Sequence, residues 1–239
     1  MKSKIILITG GTSGIGYSLV NQLHKNNQVI VCSKNKVKIK ECQEKFENVN
    51  FIQADITNIS DIENIKFFIN QKYGYLDVLI NNAGIANSAN LSDENEPLNF
   101  DDIDVNFKGT VQVTSAMLPL IKKSKNNPVI IILSSILAKI PYYELPIYSA
   151  SKAALHSYSI SLRKKIKPIR VIEVLPPMVN TTMTSTLETN KKMEAKKVAE
   201  IIIKAIEKGN IEVYPGIAKM ANVISKISFK RISSIINSN

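Results

Sequence analysis

The chain has 239 residues, of which 44% are hydrophobic and 21% charged, an ordinary balance for a soluble globular protein. No apolar run approaches the roughly 18 residues that cross a bilayer, and the basic start leads into a strand-length stretch and glycines rather than a signal peptide. We therefore expect a cytoplasmic protein that forms a single domain over residues 1–239.

The formal net charge of +11 is concentrated towards the end of the chain. Residues 191–239 hold ten Lys or Arg and four Glu, which gives this part a charge of +6. Basic proteins often bind nucleic acid, but no RNP-like aromatic motif, zinc finger or Arg-rich tract accompanies the charge. We therefore favour a solvated lysine-rich surface over a nucleic-acid partner.

The cysteines and histidines predict neither a disulfide framework nor a metal centre. Cys32 and Cys42 cannot form a C-x-x-C site, and we expect both to be small buried residues. His24 and His156 are distant in sequence, and neither belongs to a cluster with metal-ligand spacing. We expect no metal in the catalytic chemistry.

Predicted strands and helices alternate along most of the chain. Apolar runs predict strands at residues 4–9, 28–33, 49–55, 77–84, 128–135 and 169–177. Helices are predicted between them at Ser13–Lys25, Lys36–Phe46, Ser60–Tyr73, Phe100–Lys123 and 147–167. Short apolar strands separated by helices are typical of a parallel sheet covered on both faces. With right-handed crossovers they predict an α/β fold, a doubly wound Rossmann-type domain.

Two further segments are predicted near the end of the chain. The polar, Thr-rich residues 181–192 are expected to form a substrate loop with a short helix, and Ile217–Ile236 a C-terminal amphipathic helix. On a helical projection an apolar stripe lies opposite a polar face, the stripe being Ile217, Met220, Ile224 and Ile227, and the polar face Lys219, Asn222, Lys226 and Lys230. Such a stripe is more often buried against the body, another subunit or the substrate entrance than against a membrane surface. We therefore expect burial and no membrane partner.

A glycine-rich turn, "TGGTSGIG" at residues 9–16, joins the first predicted strand to the first predicted helix. Gly10, Gly14 and Gly16 would provide a tight turn, close backbone approach to a phosphate and close helix–strand packing. The N-terminus of the helix would offer unpaired N–H groups and a positive dipole end to a pyrophosphate. In this position the turn predicts a dinucleotide-binding site.

The stretch "YSASK" places Tyr148 and Lys152 one turn apart on a single face of a predicted helix. Taken alone, the spacing is better explained by a core tyrosine covered by a lysine stem. A tyrosine with a pKa of about 10 is a poor base at neutral pH, and a lysine one turn away favours the phenolate and lowers that pKa. The pair is therefore a candidate for proton transfer to and from a substrate oxygen.

Three motifs in register carry a family resemblance. T-G-x-x-x-G-x-G at 9–16, "NNAG" at 81–84 and Y-x-x-x-K at 148–152 together resemble the short-chain dehydrogenase/reductase family over essentially the whole chain. "YSASKAALHSYSISLR" and "LPPMVNT" are most similar to its bacterial branch of DltE-like oxidoreductases. The resemblance implies an enzyme that transfers a hydride between the nicotinamide of NAD(P) and a small carbonyl or alcohol compound.

The resemblance also implies a catalytic tetrad, which here is Asn106, Ser135, Tyr148 and Lys152. Ser135 would hold the substrate oxygen, and Ser134 is the alternative. Only one of the two can face the pocket, because adjacent strand residues face opposite sides. Lys152 would also bind the nicotinamide ribose, and Asn106 would help to hold a water in a proton relay. His156, one turn beyond Lys152, is expected to be packed or hydrogen-bonded rather than catalytic.

Family positions that bind the cofactor can be matched along the chain. The implied cofactor-binding residues are Gly10, Thr12, Ser13, Gly14, Ile15, Gly16, Ser33, Lys34, Asp55, Ile56, Asn82, Ala83, Gly84, Tyr148, Lys152, Val179 and Thr181. Asp55 resembles the acid that contacts adenine, whereas Val179 and Thr181 match residues at the nicotinamide carboxamide. Pro176-Pro177 departs from the Pro-Gly that is common in the family, and Pro177 removes an N–H there.

The end of the second predicted strand bears on the choice of cofactor. An NAD-specific enzyme usually has an acid there that bonds the ribose 2′-OH. This chain has Ser33 followed by Lys34, so a cation is available for a 2′-phosphate. We expect NADP(H) to be preferred and NAD(H) to be accepted, although Ser13 stands where many NADP-preferring relatives carry a second basic residue.

The substrate pocket is expected from three segments, Ile136–Tyr143, Ala86–Leu91 and Met178–Leu187. Four of their side chains predict an apolar site, namely Tyr142, Tyr143, Met178 and Met183. The resemblance implies a homodimer or homotetramer. A non-catalytic dinucleotide-binding sensor or scaffold on the same fold is the alternative, and the presence of all four tetrad residues argues against it.

Overall fold

The computed structural model describes residues 1–88, 99–185 and 192–237. In chain order the regular elements are β1 (Ile5–Thr9), α1 (Gly14–Leu23), β2 (Gln28–Ser33), α2 (Lys36–Gln43), β3 (Val49–Gln53), α3 (Ile59–Tyr73), β4 (Val78–Asn81), α4 (Thr110–Lys123), β5 (Val129–Leu133), α5 (Pro146–Lys165), β6 (Arg170–Val174), β7 (Val179–Asn180), β8 (Met193–Glu194), α6 (Ala195–Lys208), β9 (Glu212–Val213), α7 (Ala218–Ile227) and α8 (Phe229–Asn237). A π-helical segment, Ile103–Gly109, leads directly into α4.

Within the described ranges, one parallel sheet has the strand order β3-β2-β1-β4-β5-β6-β9. The chain leaves the edge strand β3 and returns to place β4 on the other side of β1. This reversal opens a crevice at the carboxyl ends of β1 and β4, where open α/β sheets bind their ligands. The predicted α/β fold of the doubly wound Rossmann type is confirmed.

Helices cover both faces of this sheet, as continuous apolar strands predict. Side chains of Ile6 and Ile8 pack with residues of α1 and α6, whereas Leu7 packs with residues of α3, α4 and α5. The alternation follows from the two-residue period of a strand. All three side chains are fully buried, so the strand ends that carry the site project from a solvent-free core.

Two elements at the far edge of the sheet were missed by the sequence analysis. Helix α6 buries side chains at helical spacing, so its signal was present in the sequence: Val198, Ala199, Ile202, Ala205 and Ile206. Strand β9 has only two residues, too few for an apolar run, and pairs with β6 through Glu173 and Val174. Because that pairing joins distant parts of the chain, local pattern did not reveal it.

The prediction of one helix over Ile217–Ile236 is wrong. The segment forms two helices, α7 and α8, which meet at Ser228. The backbone of Ser228 has φ −149° and ψ 89°, which interrupts the helical hydrogen-bond ladder. Among the described residues, no helix has the length and the apolar character to cross a bilayer.

Of the apolar stripe expected to be buried, only Ile224 packs against the body of the protein. Ile217, Met220 and Ile227 are 57%, 63% and 82% exposed, whereas Ala218 and Asn222 are buried. Small and short side chains on the inner face let α7 lie close to the body of the protein. The helix therefore turns Asn222 and Ile224 inward and its other large apolar side chains outward.

Helices α7 and α8 pack on the segment that follows β5. Ile136 and Ile140 of that segment form a buried cluster with Ala218 and Ile232. Asn237 adds hydrogen bonds, since its Oδ1 accepts from the backbone N–H of Tyr143 at 2.7 Å and its Nδ2 donates to a backbone carbonyl at 3.2 Å. The C-terminal helices are thereby attached to one end of the crevice.

Candidate active site

The glycine turn after β1 has a backbone that larger residues would disturb. Gly10 and Gly14 have φ of 66° and 54°, in the left-handed region that glycine adopts without strain. A Cβ on Gly10 would lie 2.9 Å from the Cα of Ala83, and one on Gly16 would lie 2.4 Å from the carbonyl oxygen of Gly10. The turn therefore brings β1, β4 and the N-terminus of α1 together, where backbone N–H groups are available to a phosphate.

Hydrogen bonds tie this turn to the end of β4. The Asn82 Nδ2 donates to the carbonyl oxygens of Thr9 and Gly10 at 2.9 and 3.1 Å. The backbone N–H groups of Asn82 and Ala83 both donate to the Thr9 hydroxyl at 3.0 Å. Asn81 points away from the crevice, and its Nδ2 donates to the hydroxyl of Thr114 on α4 at 3.0 Å, which ties β4 to that helix.

Polar residues after β2 and β3 form the opposite end of the crevice. The hydroxyls of Thr12 and Ser33 are 3.0 Å apart, and the Lys34 ammonium lies 3.3 Å from Asp55 Oδ2. Asp55 also accepts from the N–H and hydroxyl of Thr57 at 2.9 and 2.7 Å. Burial raises the pKa of Asp55, but the Thr57 hydrogen bonds and the charge of Lys34 outweigh it and lower the pKa. The side chain of Lys34 is 80% exposed and can reach a ligand.

The serine, tyrosine and lysine of the predicted tetrad meet between β5 and α5. The Lys152 ammonium lies 5.4 Å from the centroid of the Tyr148 ring, one helical turn away. The Ser135 hydroxyl hydrogen-bonds the Tyr148 phenol. Ser134 points elsewhere and donates to the backbone carbonyl of Lys152 at 3.1 Å. Ser135 is therefore the residue beside the phenol, and Ser134 fastens α5 to β5.

Asn106 lies fully buried on the π-helical segment and clamps the loop after β4. Its Oδ1 accepts from the N–H of Ile85 at 2.8 Å, and its Nδ2 donates to the carbonyl of Ile85 at 2.9 Å and to Ser151 Oγ at 3.0 Å. A Cβ on Gly84 would lie 2.9 Å from Asn106 Oδ1 and 3.5 Å from Lys152 Nζ. Because an amide oxygen has two lone pairs, Oδ1 keeps an acceptor position near Lys152.

Burial controls the protonation of Tyr148 and Lys152. It raises the pKa of Tyr148 to about 12, although the Ser135 hydrogen bond lowers it and the charge of Asp102 raises it further. Burial also lowers the pKa of Lys152 to about 8, against the raising effect of Asp102. The net change in the phenol pKa is therefore opposite to the lowering that Lys152 was expected to cause, because desolvation dominates. At neutral pH the phenol holds its proton.

Asp102, which the sequence analysis did not single out, precedes Asn106 by one helical turn and is fully buried. Its two carboxylate oxygens accept from the N–H of Asn87 at 3.3 and 3.2 Å. Burial raises its pKa above the ordinary value, although the Asn87 hydrogen bond and the charge of Lys152 lower it. An acid four residues before Asn106, on the same helix face, was the available signal.

The crevice encloses about 1480 Å³, more than the roughly 300–1,000 Å³ of a typical small-molecule pocket. Most of the predicted site residues line it: Gly10, Thr12, Ser13, Gly14, Ile15, Ser33, Lys34, Asp55, Ile56, Asn82, Ala83, Gly84, Ser135, Tyr148, Lys152, Val179 and Thr181. Gly16 and Asn106 lie behind this wall, where they support Asn82 and the loop at Ile85. The volume and the glycine approaches fit a dinucleotide together with a substrate.

The apolar end of the crevice holds the predicted substrate residues. Its wall includes Tyr142, Met178 and Met183, together with Ile235 and Ile236 of α8. The contribution of α8 was not predicted, because it depends on how the C-terminal helices pack. Residues 89–91 and 186–187 of the predicted pocket, and 186–191 of the predicted substrate loop, lie outside the described residues.

Tyr143, also predicted for the substrate pocket, turns away from it. Its side chain is 69% exposed, and its hydroxyl lies 3.4 Å from Ser233 Oγ on α8. Tyr143 therefore contacts α8, while Tyr142 faces the crevice.

His156 takes part in a polar network beside the crevice. Its Nδ1 lies 2.7 Å from Oε2 of Glu173, which also accepts from the Ser159 hydroxyl at 2.8 Å. Ligand atoms of His156, Glu173 and Glu212 lie within 4.8 Å of one another, a grouping that spacing in the sequence did not indicate. The hydrogen bonds confirm His156 as a hydrogen-bonded histidine that joins α5 to β6.

Comparison with known proteins agrees with this geometry. A family model described as short chain dehydrogenase matches residues 4–192. The uncharacterized oxidoreductase DltE of Bacillus subtilis (strain 168) is 34% identical over 186 residues, which cover 76% of this chain and 73% of that protein.

Two solved structures share the fold. A short chain dehydrogenase from Burkholderia cenocepacia J2315, in complex with NADP, superposes with a TM-score of 0.87 at 24% identity over 100% of this chain and 99% of that one. A short chain dehydrogenase/reductase from Burkholderia phymatum, in complex with NAD, gives 0.82 at 17% identity over 93% and 92%.

Proposed function

The chain belongs to the short-chain dehydrogenase/reductase family, and from this we propose that it is an oxidoreductase that interconverts a carbonyl and an alcohol with NADP(H). One observation carries the proposal. Protonated Tyr148, hydrogen-bonded by Ser135 and one turn from Lys152, lines the same crevice as the glycine turn. A proton donor beside a dinucleotide cradle is what carbonyl reduction requires.

The glycine turn and Lys152, which line the same crevice, would hold the cofactor. When bound, its nicotinamide supplies the hydride to the substrate carbon or accepts it. Preference for NADP(H) is supported by the exposed ammonium of Lys34 and by a hydroxyl, rather than a carboxylate, at Ser33. In this proposal NAD(H) binds more weakly, because the cation gains no phosphate partner.

Each tetrad residue has a proposed task. Ser135 donates a hydrogen bond to the substrate oxygen and holds it against Tyr148, which gives its proton to that oxygen during reduction and takes it back in oxidation. Lys152 stabilises the phenolate by its charge and binds the cofactor ribose. Asn106 fixes the loop at Ile85 and offers Oδ1 to a water.

We further propose a cytoplasmic homodimer or homotetramer whose chain folds as a single domain. The single-domain proposal is supported by the continuous sheet from β3 to β9. Sedimentation equilibrium of the purified protein gives the number of copies, and thermal unfolding in one cooperative transition is the expected result for one domain.

The experiment that tests the reaction follows the absorbance of NADPH with a panel of apolar ketones, aldehydes and quinones. We expect consumption of NADPH with at least one of them. An apolar substrate is favoured because Tyr142, Met178 and Met183 line the crevice. Tight binding of NADPH without turnover of any compound would contradict the proposal and favour a non-catalytic dinucleotide sensor.

A further inference from the structure

Large apolar side chains project from the side of α7 that faces away from the protein. Met220, Val223 and Ile227 are spaced by three and four residues and are all exposed, opposite the buried Ala218 and Asn222. Their neighbours Ile217 and Phe229 are exposed as well. We name these side chains the outer face: Ile217, Met220, Val223, Ile227 and Phe229. A helix on a globular protein normally has polar residues at these positions.

Basic residues border the outer face. Four exposed cations lie in α7 and α8, namely Lys219, Lys226, Lys230 and Arg231. Residues 213–239 contain no Asp or Glu, so no acid of this segment neutralises them. An apolar face bordered by Lys and Arg is the pattern of helices that lie in a bilayer interface. The apolar side chains enter the boundary of the acyl chains while the cations contact anionic headgroups.

We propose that the outer face docks this protein, as a peripheral protein, on an anionic lipid bilayer. A second copy of the chain is a poorer occupant, because a two-fold contact would bring the same cations together with no acid of the segment between them. The outer face is a projecting row of side chains rather than a groove. Fluid lipid adapts to such a row, whereas a folded partner would need a matching groove.

The position of the outer face beside the crevice strengthens the proposal. Phe229, the first residue of α8, belongs to the outer face. Further along the same helix, Ile235 and Ile236 line the apolar end of the crevice. Docking would therefore hold the apolar end of the crevice close to lipid. That consequence rests on the proposed function, but docking itself does not depend on turnover.

The test is flotation of the purified full-length protein with lipid vesicles at physiological salt, without cofactor or substrate. We expect binding to vesicles of equal parts phosphatidylglycerol and phosphatidylcholine, and none to phosphatidylcholine alone. Because charge contributes, the binding should weaken as the salt concentration rises.

Two variants test the outer face and its basic border separately. Met220→Ser/Val223→Ser/Ile227→Ser removes apolar side chains, and Lys219→Gln/Lys226→Gln/Lys230→Gln removes cations. We expect each to weaken binding by at least about tenfold. All six side chains are exposed, so the thermal unfolding of both variants should match that of the wild type.

Matched controls change equally exposed residues elsewhere. Val37→Ser/Ile59→Ser/Phe67→Ser removes three exposed apolar side chains, and Lys122→Gln/Lys164→Gln/Lys165→Gln removes three exposed cations. Both should bind vesicles as the wild type does.

Three outcomes would overturn the proposal. The first two are no flotation with the mixed vesicles and undiminished flotation of the serine variant. The third is equal binding to phosphatidylcholine alone, which would leave the cations without a role. If flotation is absent and the serine variant disrupts a dimer, the outer face is instead a contact between copies.

Discussion

At the scale of single residues, the proposed chemistry depends on where three buried groups hold their protons. Burial raises the pKa of Tyr148 to about 12 and lowers that of Lys152 to about 8, so at neutral pH the phenol is protonated and the amine largely charged. Asp102 raises both values. The chain's own groups therefore favour proton donation, the task needed for carbonyl reduction.

The change Tyr148→Phe deletes the proposed proton donor. We expect a loss of turnover of at least about a hundredfold, because general acid catalysis contributes about that much or more. Cofactor affinity and thermal unfolding should be nearly unchanged, since the ring remains. The matched control is Tyr142→Phe, which removes another hydroxyl from the crevice wall. Near-normal reduction by Tyr148→Phe would refute the mechanism.

The change Lys34→Ala tests the cofactor preference. Removing the ammonium that faces Asp55 should weaken NADPH binding by about tenfold, the usual size of a lost charged hydrogen bond, and leave NADH binding nearly as it was. Titration with NADPH and with NADH gives the two Kd values, whose ratio is the cofactor preference. The control Lys40→Ala removes an exposed cation of α2 outside the crevice wall. The same ratio in Lys34→Ala and wild type would count against the assignment.

The change Asp102→Asn tests the buried carboxylate through a pH profile. Reduction needs a protonated phenol and a charged Lys152, and Lys152 has the lower pKa, so wild-type kcat/KM should fall as the pH rises through about 8. In Asp102→Asn the negative charge is lost, so the pKa values of Tyr148 and Lys152 both fall. The decline in kcat/KM should therefore move to lower pH by about half a unit or more.

Asp104→Asn is the control for that profile, because Asp104 lies on the same segment but is paired with Lys108 at 2.6 Å at the surface. Its profile should match that of the wild type. Coincident profiles for Asp102→Asn and wild type would exclude an electrostatic role for Asp102.

At the scale of elements, two glycines allow the cost of left-handed backbone strain to be measured apart from the cost of steric crowding. Gly74 ends α3 with φ 77° and has nothing within 4 Å of a Cβ position, so Gly74→Ala should cost only about 1–2 kcal/mol of left-handed strain. A Cβ on Gly16 would lie 2.4 Å from the Gly10 carbonyl oxygen and 2.5 Å from Asn82 Nδ2. These atoms hold the glycine turn.

We therefore expect Gly16→Ala to reduce cofactor affinity by at least about tenfold, whereas Gly74→Ala lowers only the unfolding temperature. Calorimetric titration with NADPH and thermal unfolding measure the two effects. Unchanged affinity in Gly16→Ala would show that the turn tolerates a side chain.

Elements whose pattern lies within a short stretch of the chain were predictable from the sequence. The six apolar strands and the glycine turn have their pattern within ten or so residues, and the Tyr148–Lys152 spacing needs only one helical turn. Strand β9 and the His156–Glu173 pair depend on contacts between distant segments, which no local pattern contains. The direction of α7 was missed for a related reason, because the inward side is decided by how Ala218 fits its neighbours.

At the scale of the whole molecule, the protein combines a sheet that presents the cofactor residues with a C-terminal pair of helices at the substrate end. Deleting residues 217–239 should expose Ile136 and Ile140 and remove Ile235 and Ile236 from the crevice wall. We expect a raised KM for an apolar substrate, a lower unfolding temperature and an unchanged Kd for NADPH. Kinetics and cofactor titration of the truncated protein measure this, and an unaltered KM would contradict it.

The separate buried cluster under α7 and α8 has a consequence for how such proteins diversify. The family-wide match ends at residue 192, and α7 begins at Ala218, beyond it. Mutations in this tail can accumulate without disturbing the two cores on the faces of the sheet. We therefore expect relatives with the same catalytic residues to differ in substrate where their last two helices differ. Chimeras that exchange these C-terminal helices between relatives should transfer the substrate preference. Their preference for NADP(H) or NAD(H) should be unchanged.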